Sequence, residues 1–486
     1  MSRLLSALIF LLWAGAAAAQ PARELEVSIG ASLRVAQTLV SRFQVDELQT
    51  VAPNPLEVRA RLAPELKYGP FRLAVEFDAV NGAAFGNPGP TVVAGRVPVP
   101  AAAVELRQAY LEYRWGTGAL RVGQQTSQFG LGILANAGAK DAEPGDFGHA
   151  RFGSLAWRAL VLGRPLFALG GAWRAIEPVA AVDLVVRDST ADFYQGDRAF
   201  QAILGLRFNV DAERVIALTA IYRRQRAAYA PGGERATDAF VLDLAMQWAF
   251  SKTFSLGLDV AAITGHTTQG RTNESPVMQV RQLGALAKLK WRFASSTSLL
   301  IDVGFASGDN DPYDGQLNAF RFDRDTHAGL ILFEQVLGYQ TARTGLRLSD
   351  PLLVGLPPEG IDLLPTGGSV TGAVYLFPRL SNAITDWLDL YYGPLVAFCT
   401  AKLTDPFNSR LVSGGAAINA LGAKPGDYLG TELDAGLQGR WSLTDDLKLA
   451  GTLEGGAFFP GNAFARASGG RLDPIGLVRL RLTLSL

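Results

Sequence analysis

From Val478 to Leu486 the chain alternates residue by residue. Val478, Leu480, Leu482, Leu484 and Leu486 fall on one side, and Arg479, Arg481, Thr483 and Ser485 on the other. A period of two belongs to an extended strand, whose successive side chains point to opposite faces of a sheet. A strand with a leucine face and an arginine face has few places to go. At the open edge of a soluble sheet it would template aggregation. In a closed sheet that crosses a bilayer, the leucines meet lipid, the arginines meet the lumen, and every backbone group finds a partner.

The same alternation recurs along the chain. Phe71, Leu73, Val75 and Phe77 oppose Arg72, Glu76 and Asp78, and Leu283, Ala285, Ala287, Leu289, Trp291 and Phe293 oppose Lys288, Lys290 and Arg292. The pattern predicts strands near 27–36, 56–66, 71–79, 104–115, 119–127, 154–162, 179–187, 200–208, 214–223, 238–249, 253–263, 281–293, 297–306, 369–377, 384–398, 430–441, 446–457 and 474–486. Each approaches the roughly 9–11 residues that a tilted membrane strand needs. The fold class is therefore all-β: a transmembrane antiparallel barrel of about 18 strands, or 20 if Leu166–Trp173 adds to the count. Connections alternate in length. Short turns such as Lys67–Pro70, Gly116–Gly118, Ser251–Lys252 and Ser442–Asp445 lie between long loops at 37–55, 80–103, 128–153, 264–280, 307–368, 399–429 and 458–473. Short turns at one end and long loops at the other are the outer-membrane arrangement. Tyr113, Trp115, Trp248, Trp291, Phe293, Trp387 and Trp441 fall near strand ends, where an aromatic girdle belongs. A soluble β-sandwich also alternates, but it needs neither so many strands nor this loop asymmetry.

The start of the chain supplies an address. Arg3, an apolar run from Leu4 to Trp13 and the small residues Ala17-Ala18-Ala19 read as a secretory signal peptide over 1–19, leaving 20–486 as a single barrel domain. The implied location is the outer membrane of a Gram-negative cell, reached through the barrel-assembly machinery. Beyond residue 20 no apolar run reaches the roughly 18 residues of a membrane helix. Yet 48% of the chain is hydrophobic, which barrels hide from such scans because only alternate residues face lipid. With 45 basic and 45 acidic residues the net charge is zero, which argues against a nucleic-acid partner. Cys399 is the sole cysteine, so no disulfide forms within the chain.

Four segments resemble the alginate-export family of outer-membrane barrels. They are Leu106–Trp115 with Leu120–Gln125, Ala306–Pro312, Leu363–Gly367, and Tyr428–Asp434 followed by Leu447–Gly456 and Phe458–Gly461. The segment between Gly315 and Leu363 looks like an insertion relative to shorter relatives. The resemblance implies an 18-stranded monomeric barrel whose lumen passes an anionic polysaccharide, with lumen arginines and lysines forming a selective constriction. The family has Gly-Arg-Gln where this chain has Gly123-Gln124-Gln125, so Gln124 is expected to remove one such charge.

Read from the residues alone, the polar faces carry a basic majority. Arg34, Arg59, Arg61, Arg72, Arg107, Arg114, Arg121, Arg207, Lys288, Lys290, Arg292, Arg440, Arg479 and Arg481 fall on the inward register, and so do Glu57, Glu76, Asp78, Glu112, Asp183, Asp243, Asp259, Asp302, Glu432, Asp434 and Glu454. Rings of lysine and arginine favour anions in pores. The alternative is structural, with the same residues pairing across strands to stiffen the wall. Asp309, Asp311 and Asp314 before Gly315 are spaced almost as calcium ligands, but the third comes one residue late for such a loop. His149, His266 and His327 lack a second ligand at metal spacing, and His149 near Ser154 is the sole nucleophile–base candidate. Nothing calls for a cofactor or an enzyme. The expected function is an outer-membrane channel for passive diffusion or export of anionic solutes, an anionic polysaccharide such as alginate or smaller anions. The alternatives are a general or sugar-selective porin, or a structural or adhesive barrel plugged by 307–368, where Gly329–Phe333 could turn inward as a short helix.

Overall fold

A sheet with an apolar outer face and a charged inner face satisfies both by closing on itself. In a computed structural model, described for residues 25–86, 104–138, 143–148, 150–229, 233–269, 277–311, 314–357, 360–409 and 416–486, eighteen long antiparallel strands do so. They are β1 (Leu25–Val40), β2 (Leu56–Tyr68), β3 (Phe71–Phe85), β4 (Glu105–Trp115), β5 (Gly118–Ser127), β6 (Ser154–Gly163), β7 (Ile176–Arg187), β8 (Arg198–Asn209), β9 (Arg214–Tyr229), β10 (Gly233–Ala249), β11 (Phe254–Thr267), β12 (Met278–Arg292), β13 (Thr297–Ala306), β14 (Ala373–Ala383), β15 (Leu388–Cys399), β16 (Tyr428–Ser442), β17 (Lys448–Pro460) and β18 (Ile475–Ser485). Each pairs with its sequence neighbours, and β18 closes on β1 from Ser32↔Ser485 to Val40↔Leu477. The expected signal peptide and His149 lie outside the described residues.

The two faces of β18 separate as their chemistry requires. Leu480 and Leu482 are 47% and 46% exposed on the outside, whereas Arg479 and Arg481 are 1% and 3% exposed within. Aromatic pairs ring the short-turn end: Phe71–Tyr113, Phe250–Phe254, Trp291–Phe293 and Trp387–Trp441, with centroids 5.2–5.6 Å apart. Leu166–Trp173 is not a strand. It forms two single 3₁₀ turns, Phe167–Leu169 and Gly171–Ala175, which settles the count at eighteen. The strands expected at 369–377 and 384–398 lie further along, and Ile384–Trp387 makes the turn between them. The displaced boundary comes from Pro378, which sits inside β14 opposite Ile301. Proline cannot donate to a ladder. Accordingly the β14–β15 pairs skip from Leu376↔Val396 to Leu380↔Tyr392. Gly393 faces the gap, where a Cβ would stand 2.1 Å from the Pro378 carbonyl oxygen. β9 and β10 run to 16 and 17 residues, longer than alternation predicts. Arg223-Arg224-Gln225-Arg226 in the extra length of β9 carry no two-residue apolar period.

Most of the buried apolar side chains lie inside the barrel. The described residues of 128–153, 307–372 and 400–427 turn inward and pack together. Within the second, Leu332–Leu337 forms a wide turn in which the Val336 N–H bonds the Ile331 carbonyl, and α1 (Gly338–Ser349) continues it. Leu330, Ile331, Leu332, Phe333, Val336 and Leu337 are all at most 4% exposed, packed with Phe147, Phe320, Phe322, Phe458 and Phe464. The barrel provides the wall, and the inner loops bring the greasy filling that its polar inner face lacks.

Candidate functional site

One quadrant of the lumen wall is a row of arginines. Arg479 and Arg481 on β18, Arg34 on β1, Arg59 and Arg61 on β2, and Arg107 on β4 are each at most 7% exposed. Alternation aims them inward. The described residues of 137–152 lie across them and offer their backbone carbonyls. Arg34 donates to Ala150 O (2.8 Å), Arg59 to Ala150 O (3.1 Å), Arg61 to Gly138 O (3.2 Å), Arg107 to Phe152 O (2.9 Å) and Ala137 O (2.5 Å), and Arg481 to Gly148 O (2.9 Å). Arg479 donates to Phe147 O. Five N–H donors let each guanidinium serve two clients. The second is a wall carboxylate: Arg61 pairs with Asp78 at 2.7 Å, Arg107 with Glu76 at 2.9 Å and Arg479 with Glu454 at 2.7 Å.

Carboxylates hold the loops by the opposite groups. Glu432 on β16 accepts the N–H groups of Leu330, Ile331 and Leu332 at 2.5, 2.8 and 2.8 Å. Asp259 on β11 accepts Leu131 N–H at 2.7 Å. Gly130 (φ +47°) makes that approach feasible, since a Cβ there would stand 2.5 Å from an Asp259 oxygen. Between the loops, Asp325 accepts from Arg151, Phe152 and Gly153 N–H at 2.7, 3.0 and 2.6 Å. Charged wall groups therefore supply what irregular buried backbone lacks, namely partners for its N–H and C=O groups.

The other anticipated lumen residues lie apart from this row. Lys288 reaches Asp146 (3.4 Å) and Asp302 (3.7 Å), Lys290 reaches Glu143 (3.6 Å), and Arg292 donates to Lys252 O (3.0 Å) near the short-turn end. Arg114 and Arg121 share Glu112 at 2.5 Å each, and Arg440 holds Asp389 at 2.5 Å. Asp434 is buried one inward position along from Glu432. Arg379 escaped the sequence reading because its strand was placed too early. It is 2% exposed, bonds Asp302 at 2.6 Å and donates to Gly145 O at 2.5 Å. Arg151, Asp325 and Glu334 lie in loops, which carry no period to reveal them. Gln124 departs from expectation. It pairs with Trp157 on the outer face, accepts the indole N–H at 3.0 Å and donates to Leu106 O, so the change from arginine removes no lumen charge. Asp309 and Asp314 do not converge on a cation. They cap N–H groups of Asp311, Asn318 and Gln316 instead. Ser154 Oγ donates to Asp323 at 2.9 Å.

Titrating loop groups are coupled through this packing. Burial, then the neighbouring Asp325, pushes the Asp323 carboxyl up to about 7. Burial would also raise Glu334, but Arg151, His327 and Arg479 outweigh it and hold it below the usual range. Burial pushes the His327 imidazole down against Glu334 and Asp325. Toward the long-loop end, a cavity of about 500 Å³ remains between the inner loops and β5–β12, walled by Phe129, Leu134, Ile221, Val241 and Ile263.

The sequence matches the alginate export family over residues 28–323. Among solved structures the chain is similar to Pseudomonas aeruginosa OpdK with vanillate, at 10% identity over 94% of this chain and 98% of that one, with a TM-score of 0.50. It is also similar to P. aeruginosa OccK11 (OpdR), at 14% identity over 94% and 96% with a TM-score of 0.46. Acinetobacter baumannii OccAB4 aligns at 10% identity over 94% and 98%, with a TM-score of 0.47. No curated protein matches the sequence. The OpdK likeness concerns the fold, a closed antiparallel outer-membrane barrel. The family match spans more than half of the 486 residues, and so this outer-membrane β-barrel belongs to the alginate export family.

Proposed function

We propose that the protein is an outer-membrane channel for anionic solutes, with an anionic polysaccharide such as alginate among its cargoes, and that its inner loops control passage. The observation that carries this reading is the row of six arginines on one lumen wall, three of them paired with the wall carboxylates Asp78, Glu76 and Glu454, with a loop seated across the row through its carbonyl oxygens. Carbonyls accept from guanidinium donors without adding a negative charge, so the seated loop itself does not offset the row, and rings of lysine and arginine favour anions in pores. Arg114 and Lys290, exposed nearer the short turns, place further cations toward that mouth, beside Glu112 and Glu143. The vanillate in OpdK is a small carboxylate and supports small anions as a further cargo class. Planar-bilayer recordings across a salt gradient test the reading. Reversal potentials should show anion preference, and deleting 316–360 should raise conductance several-fold. Cation preference in both proteins would refute it.

A second reading has one observation in its favour. The run Leu330–Leu337 is buried as deeply as any protein core. A barrel whose loops never leave is a closed scaffold, and in that case neither protein conducts.

A further inference from the structure

The cavity of about 500 Å³ holds a cation that the wall arginines do not account for. Arg321 stands on the inner loop, in the segment between Gly315 and Leu363, and is half-buried at the cavity lining. Its guanidinium reaches two backbone carbonyls, Pro365 O and Leu364 O, both at a long 3.3 Å. No carboxylate pairs with it among the described residues. The other charged groups on the lining are matched. Arg223 holds Asp188 at 2.5 Å, and Lys402 holds Asp427. Asp405 takes the Thr344 hydroxyl, and Asp309 caps two backbone N–H groups. Gln340 on α1 lines the same cavity at 3% exposure, and its Nε2 has no hydrogen-bond partner among the described residues. A buried amide donor and a guanidinium with spare N–H groups are two unmet demands for an acceptor, each costly to leave open.

We propose that Arg321 and Gln340 form a binding subsite for one carboxylate group, carried on an apolar body that fills the rest of the cavity. The apolar body follows from the hydrocarbon that Phe129, Leu134, Ile221, Val241, Ile263 and Leu348 present on the lining, among hydroxyl and amide neighbours such as Gln201, Thr237 and Thr267. A polyuronate, with a carboxylate and several hydroxyls on every ring, would place some of those groups against the hydrocarbon. The volume lies within the range of small-ligand pockets, roughly 300–1,000 Å³. The Arg321 guanidinium is also pushed down, to about 10, by burial and by Arg324, so an arriving anion would relieve a strained charge. The site stands whether or not the barrel conducts.

Calorimetric titration of the full chain in detergent tests it, with cyclohexanecarboxylate as the probe and its neutral isostere cyclohexanecarboxamide as the control. The acid should bind saturably and at least tenfold more tightly than the amide. Arg321→Gln should weaken the acid at least tenfold and leave the amide unchanged, while Arg321→Lys keeps part of the affinity. Gln340→Leu should give a smaller loss. Equal binding of acid and amide by the natural protein overturns the proposal without any variant, as does no binding at millimolar acid. Undiminished binding by a folded Arg321→Gln protein overturns it as well. A uronate trimer that binds more tightly than cyclohexanecarboxylate would overturn the apolar-body assignment. Reversal potentials are measured separately, so a failed channel reading and a failed subsite remain distinct outcomes.

Discussion

Arg479 shows how a single wall residue is used. It bonds Glu454 at 2.7–2.9 Å, reaches Glu334 at 3.8 Å and donates to Phe147 O, joining strand, neighbouring strand and two of the inner loops. Glu454 is 1% exposed. Removing one partner of a buried pair leaves the other charge without compensation, at a cost of about 3–5 kcal/mol. Arg479→Met is therefore expected to destabilise the folded barrel by that amount in urea titrations in lipid vesicles. The double variant Arg479→Met, Glu454→Gln should recover much of the loss. Arg114→Met serves as the reference, because its side chain is 63% exposed and such pairs contribute at most about 1 kcal/mol. Equal losses at the two sites would contradict the assignment. Arg479 was legible in the sequence as an inward residue. Its use as a loop anchor was not, since Phe147 lies 332 positions away.

At the scale of an element, the inner loop is held by groups that respond to pH in opposite directions. Asp323 has its carboxyl raised to about 7, above the roughly 3.9 of an unfolded aspartate. Its docked form prefers the proton, so its contribution is complete below about 4 and is lost as pH rises through 7. Glu334 lies below its ordinary value and His327 below its own. Their contributions are complete above about 4.5 and about 6.5 and are lost as pH falls. Between pH 6 and 8 the Asp323 loss prevails, because His327 and Glu334 have already given most of theirs. Limited proteolysis within 316–360 should therefore accelerate from pH 6 to pH 8. In Asp323→Asn the rate should stay flat over that window. A variant that accelerates as the natural protein does would remove Asp323 from the account. Alternation located nearly every strand but nothing inside this loop, where Asp323, Asp325, His327 and Glu334 follow no period and meet only through folding.

The whole molecule divides between a lipid-facing exterior and a lumen packed by its own loops. The exterior follows directly from the sequence period. Leu482 pairs with Val35 across the β1–β18 seam and is 46% exposed to the outside. Leu482→Arg should cost about 2–4 kcal/mol if its position is near the bilayer midplane. Vesicle unfolding reads this directly, and Thr483→Arg on the lumen side of the same strand is the contrasting change. A smaller loss for Leu482→Arg than for Thr483→Arg would reverse the assignment of faces.

The sequence by itself determined the class of fold, the strand order, the lipid face and the identity of most inward charges. Each depends on a period of two, and lipid outside enforces that period along every strand. Only the tertiary structure decided what the inward charges do. Whether Arg34 or Arg481 faces an open lumen or a loop carbonyl depends on where 137–152 comes to rest, a matter of contacts between residues more than a hundred positions apart. The same holds for Arg379, hidden by a strand that tolerates Pro378, and for Arg321 and Gln340, which line one cavity because the inner loop folds back into the barrel.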